Sequence, residues 1–532
     1  MINSPQTVTG PMHRRLETCM PFLIPVALGL IAAGVGILAS ALDLKFAVAI
    51  VGGCAAGTVA LCMRTIESLT RLLIIGLALS VPVNLDITFA HLRHMGGAPG
   101  YQVSASMLIA GSLWALWLYQ WANRQWTPFI RANSFQVSAV LMYMMAGVLS
   151  LVNALYPNLV FMELHRIAML LMIMLTVMNL RSIEHVRLFM SCLAIGVVIQ
   201  AGLATAQHLT GESLGLEIFG GTDPLGQDLG YVFSRPTGTA GHPNGLSYLF
   251  EMMIPLMLAL SLAPQSLSAK VLYALAFVSA VGGIILTLSR GAWITVPFSV
   301  GIVFFLVMVR QLVNPRLLMA LFLIGLGVAA AAYKAGPIVY KRLTHDDYRS
   351  AESRLPQNIA AFSIIEQFPV LGVGLNNYSW VYKKFDKTTF SRTLKGVSRK
   401  GQQVVKVPYR RVVHNIYLWT WAEVGTVGLL AFLAIFATTF GVAWRSFLRG
   451  SQWGRAYQVG AVAGLLAHLA HANIDPGFRV PLSTSTLVFC LMGLIGAVAR
   501  IDARPLLRDT PGHGSEAREA LGAGSEVARA AP

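Results

Sequence analysis

Apolar runs long enough to cross a bilayer recur from one end of this chain to the other, and nothing else in the sequence restricts its fold as strongly. A hydrocarbon core needs about 20 apolar residues per helix. By that measure fourteen candidate helices run over 21–42, 45–63, 71–86, 103–120, 136–155, 161–179, 188–207, 245–262, 270–288, 292–310, 317–333, 416–442, 456–474 and 481–499. Only 12% of the residues are charged, about half the share of a soluble globular chain, so the polar surface is too small to face water all round. The expected class is an all-α polytopic membrane protein of about 12–14 transmembrane helices with one large extramembrane loop. The third run is short and holds Pro82, so a tilted, broken or re-entrant piece is expected there. The first run, from Pro21, lacks a small-residue cleavage site and reads as a retained helix.

The arginines orient the bundle. With the N-terminus inside, inner loops carry Arg64 and Arg71, Arg124 and Arg131, Arg181 and Arg187, then Lys270, Arg310 and Arg316, and Arg445, Arg449 and Arg455. Arg500, Arg504 and Arg508 place the C-terminus inside as well. Trp114, Trp117, Trp121 and Trp126 fit an aromatic belt near the inner face. The resulting organisation is an inner N-terminus (1–20) and helices one to eleven (21–333, with an outer loop at 208–244). A large outer loop (334–412), the last three helices (413–499) and a polar, disordered inner tail (500–532) follow. The formal net charge of +17 does not indicate nucleic acid, because most of it sits in short loops between apolar segments. All five cysteines lie in or beside apolar runs, so no disulfide framework is expected. The sequence has no internal repeat, no Gly-rich phosphate loop and no metal-ligand cluster, and no cofactor is expected.

Chemistry-bearing residues collect on the outer side. Arg235, His242 and Asn244 precede the eighth helix in a Gly- and Pro-rich stretch that favours a shaped loop. Arg290 lies between the ninth and tenth helices with almost no loop around it. The 334–412 loop holds fifteen basic and five acidic residues, a net +10, among them Arg354. A loop this long escapes the positive-inside bias, and an anionic or diphosphate ligand at the membrane surface would explain its charge. Within it, 360–369 reads as an amphipathic helix for the interface, and Gly372–Gly374 as a tight turn. His414 and Asn415 open the twelfth helix, and His471, Asp475 and Arg479 lie near the outer end of the thirteenth. Titratable groups at such places carry a cost that points to use. For each of them a plainer reading stands beside the functional one: a backbone-bonded helix start for His414, a headgroup arginine for Arg290, and a structural pairing for Glu423.

The order of these landmarks resembles one family. His414-Asn415, nine residues, Gly425, two residues, Gly428 is similar to the signature of the O-antigen ligase and Wzy polymerase superfamily. Leu288-Ser289-Arg290-Gly291 with Trp293, then Arg354, then Pro369-Val370-Leu371-Gly372-Val373-Gly374 lead up to it, and Gly241-His242-Pro243-Asn244 lies upstream. The resemblance covers about residues 230–480 and implies a bacterial inner-membrane glycosyltransferase with its site facing the periplasm. The implied donor is a glycan on undecaprenyl diphosphate. The implied acceptor is a lipid A-core sugar for a ligase, or another lipid-linked repeat of O-antigen or exopolysaccharide for a polymerase. Membrane lipids and a regulator of chain length are the other partners it allows, with no nucleic acid, metal or cofactor. His414 is then the general base, Arg235, Arg290 and Arg354 bind the donor diphosphate, and Asn415, His242, Asn244, His471 and Asp475 support them. An imidazole with pKa near ~6.5 suits that task. The rival class is a secondary transporter or flippase of a lipid-linked or anionic saccharide, which would place ionisable groups near the midplane and show repeat symmetry.

Overall fold

The computed structural model describes residues 65–92, 96–123, 134–216, 235–309, 354–386 and 412–502. The chain divides into two compact units, Met1–Leu72 and Leu73–Pro532. Of the first, the described residues are the opening turns of α1 (Ile66–Ser80), where Glu67 pairs with Arg71 at 2.9 Å. The second contains the rest. α1 stops two residues short of Pro82, which cannot continue a helix and biases its predecessor away from helical geometry.

After α1 come β1 (Asp86–Phe89), β2 (Tyr101–Ser104), α2 (Ala105–Ala122), α3 (Ser134–Leu149), α4 (Pro157–Met178), α5 (Ile183–Thr210), α6 (Pro243–Leu262), α7 (Leu267–Thr287) and α8 (Arg290–Val309). The expected large loop contributes α9 (Arg354–Gln367) and α10 (Tyr378–Phe385), before α11 (Ile416–Arg449), α12 (Gln452–His471) and α13 (Leu482–Asp502). Eight helices among the described residues are long and apolar enough to cross a membrane: α3 with its 3-10 extension to Asn153, α4, α5, α6, α7, α8, α11 and α13. The chain is an all-α polytopic membrane protein. The runs expected at 21–42, 45–63 and 317–333 lie outside the described residues.

Two helices form the middle of the bundle. α6 is buried along its whole length, as an all-round apolar helix must be, between α7, α8 and α12. α13 is almost as enclosed and packs on α4 and α11. A side chain at Gly464 would come within 2.3 Å of the Met252 carbonyl oxygen, so α12 and α6 touch backbone to backbone, as small residues permit in membranes. Outer helices leave Met142, Met145, Phe298, Phe305 and Leu430 exposed, an apolar shell suited to acyl chains.

Two details differ from the sequence reading. β1 and β2 form an antiparallel pair with Ile87 opposite Val103, and the Ser104 hydroxyl then accepts the Met107 N–H at 3.3 Å to start α2. Of the tryptophans assigned to an aromatic belt, Trp117 is buried in the core and meets Trp114 edge-on at 5.7 Å. Trp121 is exposed, and Trp126 lies outside the described residues.

α11 is not continuous. Gly425 has φ 65° and ψ −170°, a backbone state that other residues rarely adopt. The turn after α9 fills the opening. Val373 N–H donates to the Ala422 carbonyl at 3.0 Å, Gly374 N–H to the Glu423 carbonyl at 3.0 Å, and Thr426 N–H to the Pro369 carbonyl at 2.8 Å. A Cβ at Gly425 would lie 2.0 Å from the Val370 carbonyl oxygen, and one at Gly372 2.4 Å from that of Glu423. The two glycine motifs of the sequence are thus two halves of one interlock. Gly425→Ala is expected to destabilise the protein by more than about 3 kcal/mol, since strain and clash add. Gly441→Ala in the same helix, where nothing lies within 4 Å, is expected to be neutral. Unfolding of the purified variants in detergent measures both.

Candidate active site

The ends of the bundle are chemically unlike. At one end lie Arg181, Arg187, Arg449, Arg455 and Arg500, at the α4–α5 and α11–α12 turns and the close of α13. Arg500 donates there to the Met178 carbonyl at 3.1 Å. These are the arginines that oriented the chain as inner. At the other end, α6, α8 and α11 begin and α7 and α12 finish, and every residue singled out as a site candidate stands there.

Arg235 is buried behind the start of α6. Its Nε donates to the Thr287 carbonyl at 2.8 Å, and its Nη2 to Asn244 Oδ1 at 2.8 Å. Asn244 Nδ2 in turn donates to Asp475 Oδ2 at 2.8 Å, and the Tyr248 hydroxyl donates to Asp475 Oδ1. Asp475, in the turn after α12, is therefore occupied by α6. One helical turn earlier, His471 Nδ1 bonds to Glu251 Oε2 at 2.6 Å and His468 Nδ1 to Glu251 Oε1 at 2.8 Å. Thr295 from α8 adds its hydroxyl at 3.3 Å. A carboxylate buried in α6 needs such partners, and together they fix α6, α8 and α12 at this end. The ring of His471 lies against Gly291, whose Cβ would come within 2.2 Å of Nε2. This contact sets the first turn of α8, and with it the partly exposed Arg290, beside α12. Arg354 is close enough for its charge to act on both His471 and Tyr248.

The two histidines of the rim are in opposite states. His242 is the N-cap of α6, and its Nδ1 accepts the Asn244 N–H at 3.1 Å. An accepting Nδ1 carries no proton, so the ring proton sits on Nε2. Protein crowds the ring although part of it meets solvent. This loss of solvation and the Arg235 guanidinium hold its pKa down at about 4, with Asp475 pulling the other way. The charge of His414 reaches it too, which puts the two histidines in one neighbourhood. His414 instead contacts Gln357 Oε1 through Nδ1 at 2.7 Å. An amide oxygen only accepts, so Nδ1 donates and the basic lone pair lies on Nε2.

Local structure presents His414 here. Asn415 is the N-cap of α11, its Oδ1 accepting from Tyr417 N–H at 2.9 Å and Leu418 N–H at 3.0 Å. The Ile416 N–H reaches the Ala472 carbonyl at 2.9 Å, which ties the start of α11 to the end of α12. Below this point α11 is anchored by a buried four-charge cluster. Arg479 donates to Glu423 Oε2 at 2.5 Å and to Glu163 Oε1 at 3.2 Å. Arg166 pairs with Glu163 and reaches the Arg479 carbonyl at 2.5 Å. Glu423 also receives the Trp419 Nε1–H at 2.8 Å and the backbone N–H groups of Asn376 at 2.8 Å and Tyr378 at 3.0 Å. The four charges neutralise one another, as burial requires, with Arg166 Nε and Arg479 Nη2 left without a hydrogen-bond partner among the described residues, and Glu423 has the structural pairing the sequence left open for it.

The structure thus brings Arg235, His242, Asn244, His471, Asp475, Arg290, Arg354, His414 and Asn415 to one end of the bundle. It gives Asn415 a capping role and ties Asp475, His471 and Asn244 into the frame. Three participants were not singled out in the sequence: Gln357, Tyr248 and Glu251. A lone Glu in the apolar run of α6 was the available signal for Glu251.

Fold and site define a polytopic helical membrane protein with a basic, histidine-bearing rim at one end of its bundle. A family model described as O-antigen ligase matches residues 275–433, the segment that holds Arg290, Arg354, Gln357, His414 and Asn415. The match supports the O-antigen ligase/polymerase superfamily for this chain, and with it lipid-linked glycan substrates in general. No curated protein matches the chain.

Proposed function

We propose that the chain transfers a glycan from undecaprenyl diphosphate to an acceptor hydroxyl at the periplasmic face of the inner membrane, with inversion at the anomeric carbon. The observation that carries this reading is an imidazole whose basic nitrogen is defined by its contact with Gln357, inside the matched segment and at the same end of the bundle as Arg290 and Arg354.

In this scheme His414 Nε2 takes the proton of the acceptor hydroxyl as its oxygen attacks the anomeric carbon. The bond from that carbon to the diphosphate oxygen breaks, and its electron pair leaves with the diphosphate. Charge therefore grows on the leaving group, where preformed donors contribute most. Arg290 and Arg354, both partly exposed, supply planar forks that stay charged at a lipid boundary. Arg235 adds its charge from behind. The first turn of α8 adds the partial positive charge of a helix N-terminus. No step is routed through a metal or a nucleotide.

The pH profile separates the two rim histidines. A base that must be deprotonated gives kcat/KM an acid limb, and His242, held at about 4, is too weakly basic to supply one above about pH 5. His242→Asn, which keeps an N-cap side chain, is expected to leave that limb in place. A limb that disappears with His242→Asn would reassign the base.

The reading is tested with purified protein in proteoliposomes given an undecaprenyl-diphosphate-linked repeat, with and without lipid A-core. Longer lipid-linked products without added acceptor identify a polymerase of O-antigen or exopolysaccharide repeats, the assignment chain length and the His242-Pro243-Asn244 stretch favour. Product only with lipid A-core identifies a ligase. Substrate movement across the vesicle without product would replace the enzyme by a transporter.

A further inference from the structure

We propose that Gln357 is the positioning residue of the reaction, fixing which nitrogen of His414 carries the lone pair and where that nitrogen points. The inference rests on the reading of His414 as the base.

Four observations meet at this residue. Gln357 is 3% exposed although it lies in a helix of the large polar loop, so its side chain is not a solvated surface group. Its backbone carbonyl accepts the Tyr378 hydroxyl at 2.8 Å, and Tyr378 is itself fixed by its N–H to Glu423 Oε1 at 3.0 Å. The backbone at 357 is therefore anchored through α10 to the charge cluster under α11. Its amide oxygen then meets His414 Nδ1 at 2.7 Å, which commits the proton of a neutral imidazole to Nδ1. The contrast with His242 shows what the contact decides: there a backbone N–H occupies Nδ1, and Nε2 is left as a donor that cannot take a proton.

The chemistry of the amide matters as well. A carboxylate in its place would stabilise the imidazolium and raise the pKa of the base; an amide orients the ring without adding charge. The charge of His414 acts on His242, which Arg235 and Asp475 also face, and Arg354 on α9 acts on His471 and Tyr248 at the same end of the bundle. Arg354 and Gln357 stand three residues apart on α9, hence on one face. The same rigid turn thus carries a diphosphate ligand and the orienter of the base.

The test uses the full-length protein in proteoliposomes with three variants: Gln357→Met, which removes the acceptor at similar volume, Gln357→Glu, which can only accept from Nδ1–H, and His414→Ala. Two readouts are taken across pH: transfer kinetics, and the rate of diethyl pyrocarbonate acylation of His414 followed on its peptide by mass spectrometry. Gln357→Met is expected to lower kcat about 10- to 100-fold with donor KM within about twofold of wild type. Gln357→Glu is expected to keep kcat within about tenfold and to move both the acid limb and the acylation midpoint up by about one pH unit. Wild-type kcat and profile in Gln357→Met would overturn the proposal. So would an inactive, folded Gln357→Glu whose acylation midpoint has not moved, which would mean the amide donates to Nδ1 instead. The labelling readout does not depend on turnover. Full activity of His414→Ala would remove the base while leaving the Gln357–His414 contact measurable.

Discussion

His414→Ala is expected to lower kcat by about 10³-fold, within the range of a lost general base, while donor KM stays near wild type. The expectation follows from what His414 does and does not hold together. It lies outside the Glu163–Arg166–Arg479–Glu423 cluster and outside the Glu251 clamp, and the cap of α11 comes from Asn415. Its Nδ1 contacts Gln357, so the variant leaves a buried amide short of that partner at a cost of about 1–3 kcal/mol. A thermal midpoint that falls only slightly, beside a turnover that nearly vanishes, separates chemistry from folding. A turnover within tenfold of wild type would remove His414 from the mechanism.

Arg290→Ala is expected to cost about 10²- to 10³-fold in kcat/KM, comparable to the loss of one preorganised donor at a developing charge. Arg290→Lys is expected to recover little, because an ammonium cannot present two parallel N–H groups to a diphosphate. The position explains the size of the effect. α8 begins at Arg290, and the contact of Gly291 with the His471 ring leaves no room for the residue to shift. Inhibition by added polyprenyl diphosphate is the accompanying readout: it should weaken in both variants in step with the loss of rate. Unchanged inhibition with normal turnover would assign Arg290 to the membrane boundary alone.

Much of this was legible in the sequence because membrane helices are written in it directly. α6, expected at 245–262, spans Pro243–Leu262, and α7, expected at 270–288, spans Leu267–Thr287. The errors have physical causes. α11 was expected to end at 442 but continues to Arg449, since hydropathy marks where the hydrocarbon stops and backbone hydrogen bonding continues into the polar zone. β1 and β2 have four residues each, too few for alternation to show. The amphipathic helix expected at 360–369 starts at Arg354, and those missing turns contain Gln357. Its role depends on a partner 57 positions away, which local pattern does not encode. The glycine motifs were visible as motifs, but that Gly372 and Gly425 close on each other is a tertiary fact. Arg290 and His414 announced themselves as polar groups at the ends of apolar runs, where their cost is plain, whereas Arg235 and Arg354 stand in the outer loops and were singled out by the family pattern. Glu251, Tyr248 and Gln357, which hold the candidate site in shape, lie inside elements and gave at most a weak signal.

The measurement that bears most directly on the central claim is the release of undecaprenyl diphosphate by purified protein in proteoliposomes, counted against glycosidic bonds formed. One diphosphate is expected to be released per new bond, with both quantities lost together in His414→Ala and in Arg290→Ala. Movement of intact lipid-linked glycan across the bilayer with no diphosphate released, at a rate that neither substitution changes, would contradict it.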